Sequence, residues 1–256
     1  MKKIIVAFLL SVITAPALAA GGGMHNLDVD IDLNNKASLQ RGAKLFTNYC
    51  LSCHSAKAMR YNRMAEDLGM SEKQVLENLI FTADYSKKPH GEPTKIGSLM
   101  DVAMRTSDTK QWFGTKIPDL SVVSRARGAD WLYTYLMTFY IDESRPYGVN
   151  NQRFPNVGMP HVMWELQGLK KAVYKTVKGH DGKEKKVIEK LEMVKPGKLT
   201  EAEYADAMRD LVAFMVYMGE PAQQTRKTVG LWVILFLMIF GVLSYALKKE
   251  FWKDIH

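Results

Sequence analysis

Cysteine is nearly absent from this chain, with two in 256 residues. So few cannot build a disulfide scaffold, and a chain of this length can bury a core without one. The spacing of the pair therefore carries the information. There is no internal repeat and no low-complexity tract, which sets aside solenoids and solvated tails. A composition of 47% hydrophobic and 24% charged residues sets aside a disordered or fibrous protein. Acidic residues are in deficit, 27 against 35 Lys+Arg, for a formal charge of +8. Positive charge points to nucleic acid or an anionic surface only where it gathers on one face. Here Lys2 and Lys3 account for two charges, and the stretch Lys170 to Lys198 holds ten lysines against four acids. The rest of the chain is balanced, so no nucleic-acid partner is expected. The Lys-rich stretch could face anionic headgroups or a neighbouring subunit, or be a solvated surface.

Long apolar runs are also scarce, and the two present lie near the ends. The first, Ile4 to Ile13, follows Lys2 and Lys3 and precedes Thr14-Ala15-Pro16-Ala17-Leu18-Ala19. A basic pair, a short apolar stretch and small residues at Ala17 and Ala19 predict a signal peptide over 1–19, cut after Ala19. The second runs from Val229 to Leu247, 19 residues without a charge, with Arg226 and Lys227 before it and Lys248, Lys249 and Lys253 after it. At about 1.5 Å per residue it matches a hydrocarbon core of ~30 Å. The expected layout is an exported domain over 20–227, a single transmembrane anchor over 228–247 and a cytoplasmic tail over 248–256, its lysines agreeing with the positive-inside tendency.

The exported part reads as mainly α with long loops. Leu39, Gly42, Ala43, Phe46, Tyr49, Cys50 and Cys53 recur at spacings of three and four and predict a helix with both cysteines on its inner face. Ser71 with Gln74 opens a helix running to Phe81, and another is expected from Asp130 to Tyr140. Val173, Val177, Val187 and Ile188 around Gly179-His180-Asp181-Gly182 predict a β-hairpin insertion over about 172–194. Thr200 and Glu203 form a capping box for a helix to about Met218, with Tyr204, Met208, Leu211 and Met215 as its core-facing stripe.

Both cysteines fall in Cys50-Leu51-Ser52-Cys53-His54, the C-x-x-C-H spacing of covalent c-type haem attachment. A separation of three on a helix puts two sulfurs on one side, where they can reach the two vinyl groups of one porphyrin. The adjacent His54 can then ligate the iron from the proximal face. The sixth position must come from downstream. Met159, in Phe154-Pro155-Asn156-Val157-Gly158-Met159-Pro160, offers a thioether from a loop fixed by glycine and proline. Soft sulfur favours ferrous iron and raises the potential. On chemistry alone Met104, Met163 and His161 stay open as alternatives. Arg125 and Arg127 could pair with the anionic haem propionates.

These residues resemble the cytochrome c1 family, the haem subunits of ubiquinol:cytochrome c oxidoreductase (cytochrome bc1) complexes, in a bacterial form. The resemblance rests on Leu39-Gln40-Arg41-Gly42 ahead of the haem motif, Cys53-His54-Ser55 with Met59-Arg60-Tyr61, Pro118-Asp119-Leu120-Ser121 with Arg125-Ala126-Arg127, and Phe154-Pro155 ahead of Met159-Pro160. Glu220-Pro221, Arg226-Lys227 and the C-terminal apolar run complete it. It implies a cytochrome c-like haem domain with one covalent haem c, held by Cys50 and Cys53 and ligated by His54 and Met159. Arg127, and less directly Arg125, would meet a propionate, and Pro118 would pack near the proximal histidine. The chain departs from mitochondrial relatives after Arg127, where Gly128-Ala129-Asp130 is shorter. The implied role is a non-catalytic electron relay in the respiratory chain of the bacterial inner membrane, single-pass, with the haem domain in the periplasm. Its implied partners are cytochrome b, the Rieske iron–sulfur protein, a c-type cytochrome acceptor and the lipid bilayer, within a dimeric multisubunit complex. The rival expectations are a membrane-anchored monohaem subunit of a terminal oxidase or nitric oxide reductase, a haem sensor or peroxidase with an open sixth site, and a docking platform.

Overall fold

The computed structural model describes residues 24–84, 92–102, 104, 106–178 and 184–254. The expected signal peptide and the expected turn Gly179–Gly182 lie outside them.

The core forms where helix α1 (Lys36–Leu45) crosses helix α8 (Glu201–Gly219). Asn35 caps α1, its side chain accepting from Ser38 N. Leu39, Gly42, Ala43 and Phe46 turn inward onto Met208, Leu211 and Phe214 of α8, and the rings of Phe46 and Phe214 lie 5.5 Å apart. Gly42 is needed at the crossing, since a Cβ there would stand 2.1 Å from Asp210 O and 2.7 Å from Phe214 Cβ. Asp210, itself buried, accepts from Ser38 Oγ and from Arg41 Nε and Nη2, which pins the two helices together. The expected stripe Tyr204, Met208, Leu211 and Met215 is buried, and the Thr200/Glu203 capping box is formed.

Strand β1 (Ala56–Arg60) follows the haem motif and leads into α2 (Tyr61–Leu68) and α3 (Glu72–Asn78). Ser71 and Gln74 make the expected box for α3, which ends at Asn78 rather than at Phe81. Two-residue strands β2 (Ala83–Asp84) and β3 (Glu92–Pro93) pair with each other, and β4 (Leu99–Met100) pairs with β1. Helices α4 (Thr106–Phe113), α5 (Val123–Arg127) and α6 (Ala129–Met137) follow. The helix expected to reach Tyr140 stops at Met137, because β5 (Phe139–Ile141) turns back to pair with β6 (Val149–Asn151).

A short helix α7 (Trp164–Gln167) leads into the hairpin, β7 (Gly168–Lys178) and β8 (Glu184–Pro196), which is longer at its base than expected. With β5 parallel to β7, the four-stranded sheet runs β6-β5-β7-β8. Helix α9 (Gln223–Phe251) is 29 residues long, has no buried residue and is long and apolar enough to cross a membrane.

Candidate functional site

The site is built where α1 runs out. After Leu45 the helix widens into a π-helical turn, Phe46–Cys50, closed by Leu51 N donating to Phe46 O at 3.0 Å. Two further bonds, Cys53 N to Cys50 O at 3.1 Å and His54 N to Cys50 O at 2.8 Å, fold the next residues into a tight turn. The helix thus carries Cys50 but not Cys53, which corrects the expectation that both ride on one helical face. No disulfide joins the two, and Cys50 is buried and Cys53 partly exposed. Burial, with Cys53 adding to it, pushes the Cys50 thiol up to about 12.

His54 is held by a different segment. Its Nδ1 lies 2.9 Å from the Pro118 carbonyl oxygen. A carbonyl only accepts, so Nδ1 carries the proton and Nε2 keeps its lone pair for a metal. Burial lowers the His54 pKa, opposed by the Pro118 bond and the Asp119 charge, which favours the neutral imidazole that ligation needs. The segments are laced together around this bond. Asp119 accepts from Ser55 Oγ at 2.8 Å, Lys57 N at 2.9 Å and Ser121 N at 2.8 Å. Leu120 N donates to Ser55 O and Ala58 N to Ser121 Oγ. Pro118 therefore acts on the histidine through its carbonyl, a more specific contact than packing.

Met159 lies across the neighbouring loop. A Cβ on Gly158 would stand 3.7 Å from Thr115 Cγ2, three residues before Pro118, so the two loops adjoin. The loop is shaped by two asparagines that sequence reading passed over. Asn151 Oδ1 accepts from Arg153 N and Phe154 N, both at 2.9 Å, and Asn150 Oδ1 accepts from Asn156 N at 2.8 Å. Asn156 takes positive φ (63°), and Arg145 holds its side-chain and backbone oxygens. Tyr135 Oη donates to Met159 Sδ at 3.3 Å. The alternatives have other surroundings. Met163 is enclosed in the core. His161 is buried and stacked flat on Phe139 at 4.8 Å, and burial drives its pKa down to about 4. Met104 is half-buried ahead of α4.

The two arginines diverge. The Arg127 guanidinium lies 5.0 Å over the Trp131 ring, which stacks on Tyr135 at 5.2 Å, so Arg127 is linked to Met159 through one aromatic column. Arg125 points to the end of α8, its Cγ 3.4 Å from where a Gly219 Cβ would stand. Arg153, a cation that sequence reading missed, also lies over Trp131, at 5.7 Å.

This donor set fits a haem c. Two separate thiols lie within one turn, an imidazole has its Nε2 free, and a thioether sits on the adjoining loop. Among the described residues no group of three or more His, Cys, Asp or Glu side chains could hold a bare metal ion. Fold and site define a c-type cytochrome carrying one long apolar helix at its C-terminal end.

Comparison with known proteins narrows the class. Residues 29–255 match the model of the cytochrome c1 family. A cytochrome c1 of Allochromatium vinosum is 46% identical over 256 residues, covering 100% of both chains. A Nitrosomonas europaea protein named ammonia monooxygenase gamma subunit is 45% identical, covering 99% of this chain and 100% of its own. The mitochondrial cytochrome c1 of Saccharomyces cerevisiae is 26% identical, covering 86% of this chain and 67% of its own. The chain belongs to the cytochrome c1 family. That family carries a covalently bound haem c.

Proposed function

We propose that this chain holds its haem outside the cytoplasm and relays electrons from the Rieske iron–sulfur protein to a c-type cytochrome. Family membership makes it the haem-bearing electron-transfer subunit of the cytochrome bc1 complex, alongside cytochrome b and the Rieske protein. The finer assignments are ours. Residues 1–19 direct export, α9 is a single-pass anchor in the bacterial inner membrane, the haem domain is periplasmic, and the complex is a dimer. The downstream acceptor is a c-type cytochrome.

Bound haem c supplies a one-electron iron(III)/iron(II) couple. Cys50 and Cys53 would hold it by thioether bonds, His54 Nε2 and Met159 Sδ would ligate its iron, and Arg127, ahead of Arg125, would meet a propionate. The His54 Nδ1–H donated to Pro118 O fixes the tautomer and the ring plane, as partners of ligating histidines commonly do. With a histidine and a methionine to hold the iron, this chain's residues would bind and orient the group, and none of them need act as acid, base or nucleophile. The observation that carries this reading is the His54 imidazole, fixed with Nε2 free, inside a C-x-x-C-H turn of a chain matched to the family over 29–255.

Met159→Leu is expected to lower the reduction potential and abolish the ferric Met–iron charge-transfer band in optical spectra. A band unchanged by that substitution would remove Met159 from the site. The relative named for ammonia monooxygenase supplies a second reading, a redox subunit of a monooxygenase. Affinity isolation of the full chain from native membranes decides between them. Co-isolation with a dihaem cytochrome b and an iron–sulfur subunit supports the relay, and co-isolation with a monooxygenase in their place sinks it.

A further inference from the structure

The Met159 sulfur has a hydrogen-bond donor of its own. Tyr135 Oη lies 3.3 Å from Sδ, within reach for sulfur as acceptor. The donor is held from three directions. Its ring stacks on Trp131 at 5.2 Å with an interplanar angle of 8° and meets Phe139 edge-on at 5.2 Å and 75°. Its backbone oxygen accepts from Asn151 Nδ2 at 2.7 Å. That same Asn151 organises the start of the Met159 loop by accepting from Arg153 N and Phe154 N. One side chain thus sets the donor helix and the acceptor loop relative to each other.

We propose that Tyr135 is a positioning residue that tunes the haem: its hydroxyl engages one lone pair of Met159 Sδ, leaving the other for iron and raising the reduction potential. This rests on Met159 being the axial ligand. A thioether sulfur has two lone pairs, and a hydrogen bond to one draws electron density away from the other. The weakened donor costs ferric iron more than ferrous iron, because the higher charge relies more on donation. The ferrous state is therefore favoured, through a hydrogen bond one shell out from the metal.

The test is redox titration and optical spectroscopy of the full-length haem-loaded protein with Tyr135→Phe, which keeps the stacked ring and removes only the hydroxyl. Tyr133→Phe on the same helix is the control. Expected for Tyr135→Phe is a lower potential, seen as a shift of roughly threefold to tenfold in the ferrous:ferric ratio at fixed ambient potential, the differential worth of one neutral hydrogen bond. A tenfold shift corresponds to about 59 mV for one electron. The Met–iron charge-transfer band should persist at a displaced wavelength, and Tyr133→Phe should move neither. A Tyr135→Phe protein whose potential and band match the control, or whose potential rises, overturns the proposal while leaving Met159 as ligand. If the unaltered protein has no such band, the ligand assignment fails first and takes the proposal with it.

Discussion

At Asp119 one carboxylate accepts three hydrogen bonds that join the segment carrying His54 to the segment carrying Pro118. Burial would raise its pKa, but the bonds from Lys57, Ser121 and Ser55 outweigh burial and hold it below the ordinary carboxylate value. A carboxylate lowered on folding stabilises the fold fully above its unfolded range, about pH 4, and loses that contribution as pH falls through its own lower value. Asp119→Asn should therefore lower the melting temperature at pH 7, and the gap from the parent should shrink toward pH 3. A gap that stays constant with pH would exclude the carboxylate's charge as the cause. At this scale the candidate ligands were readable from sequence and their supports were not. Cys50, Cys53 and His54 announce themselves by spacing. Asp119 stood in view within Pro118-Asp119-Leu120-Ser121, but two of its three partners, Ser55 and Lys57, lie more than sixty residues back. Tyr135 and Asn151 look like ordinary helix and loop residues until the chain folds Met159 toward them.

Among the elements, the α1–α8 crossing decides where the haem turn sits, and Gly42 decides how close the crossing is. Gly42→Val should force the helices apart against Asp210 and Phe214, at about 1–3 kcal/mol for overpacking a filled core. Thermal melts should show that loss, with a lower yield of haem-loaded protein because Cys50 moves with α1. A melt and a yield equal to the parent's would mean that the crossing can slide. Where local physics governs, the elements were legible: both capping boxes and the α8 stripe follow from side-chain chemistry within a few residues. Where tertiary pairing governs, they were not. Phe139, Tyr140 and Ile141 continue the apolar pattern of α6, and only pairing with β6 and β7 makes them a strand. The π-helical turn is equally silent, since one extra residue per turn still leaves apolar positions three and four apart.

Taken whole, the molecule divides at Glu220-Pro221-Ala222, the three residues between α8 and α9. No residue of α9 is buried, so the core of the haem domain is built without it. A chain ending at Pro221 should leave the membrane fraction with its haem spectrum, potential and melting temperature unchanged. Release with an altered spectrum would show that α9 shapes the site. In the hairpin Lys171 and Lys190 pair with Glu192 and Lys175 with Glu189, all exposed contacts of little energetic weight.

The junction between the halves is short and fastened. Arg226 on the first turn of α9 closes back onto Glu220 through two bonds. From Gln223 to the apolar run at Val229 there are six helical residues, roughly 9 Å of rise. With α9 as anchor, the separation between the apolar run and the domain packed on α8 is set by those six residues and by the Glu220–Arg226 pair.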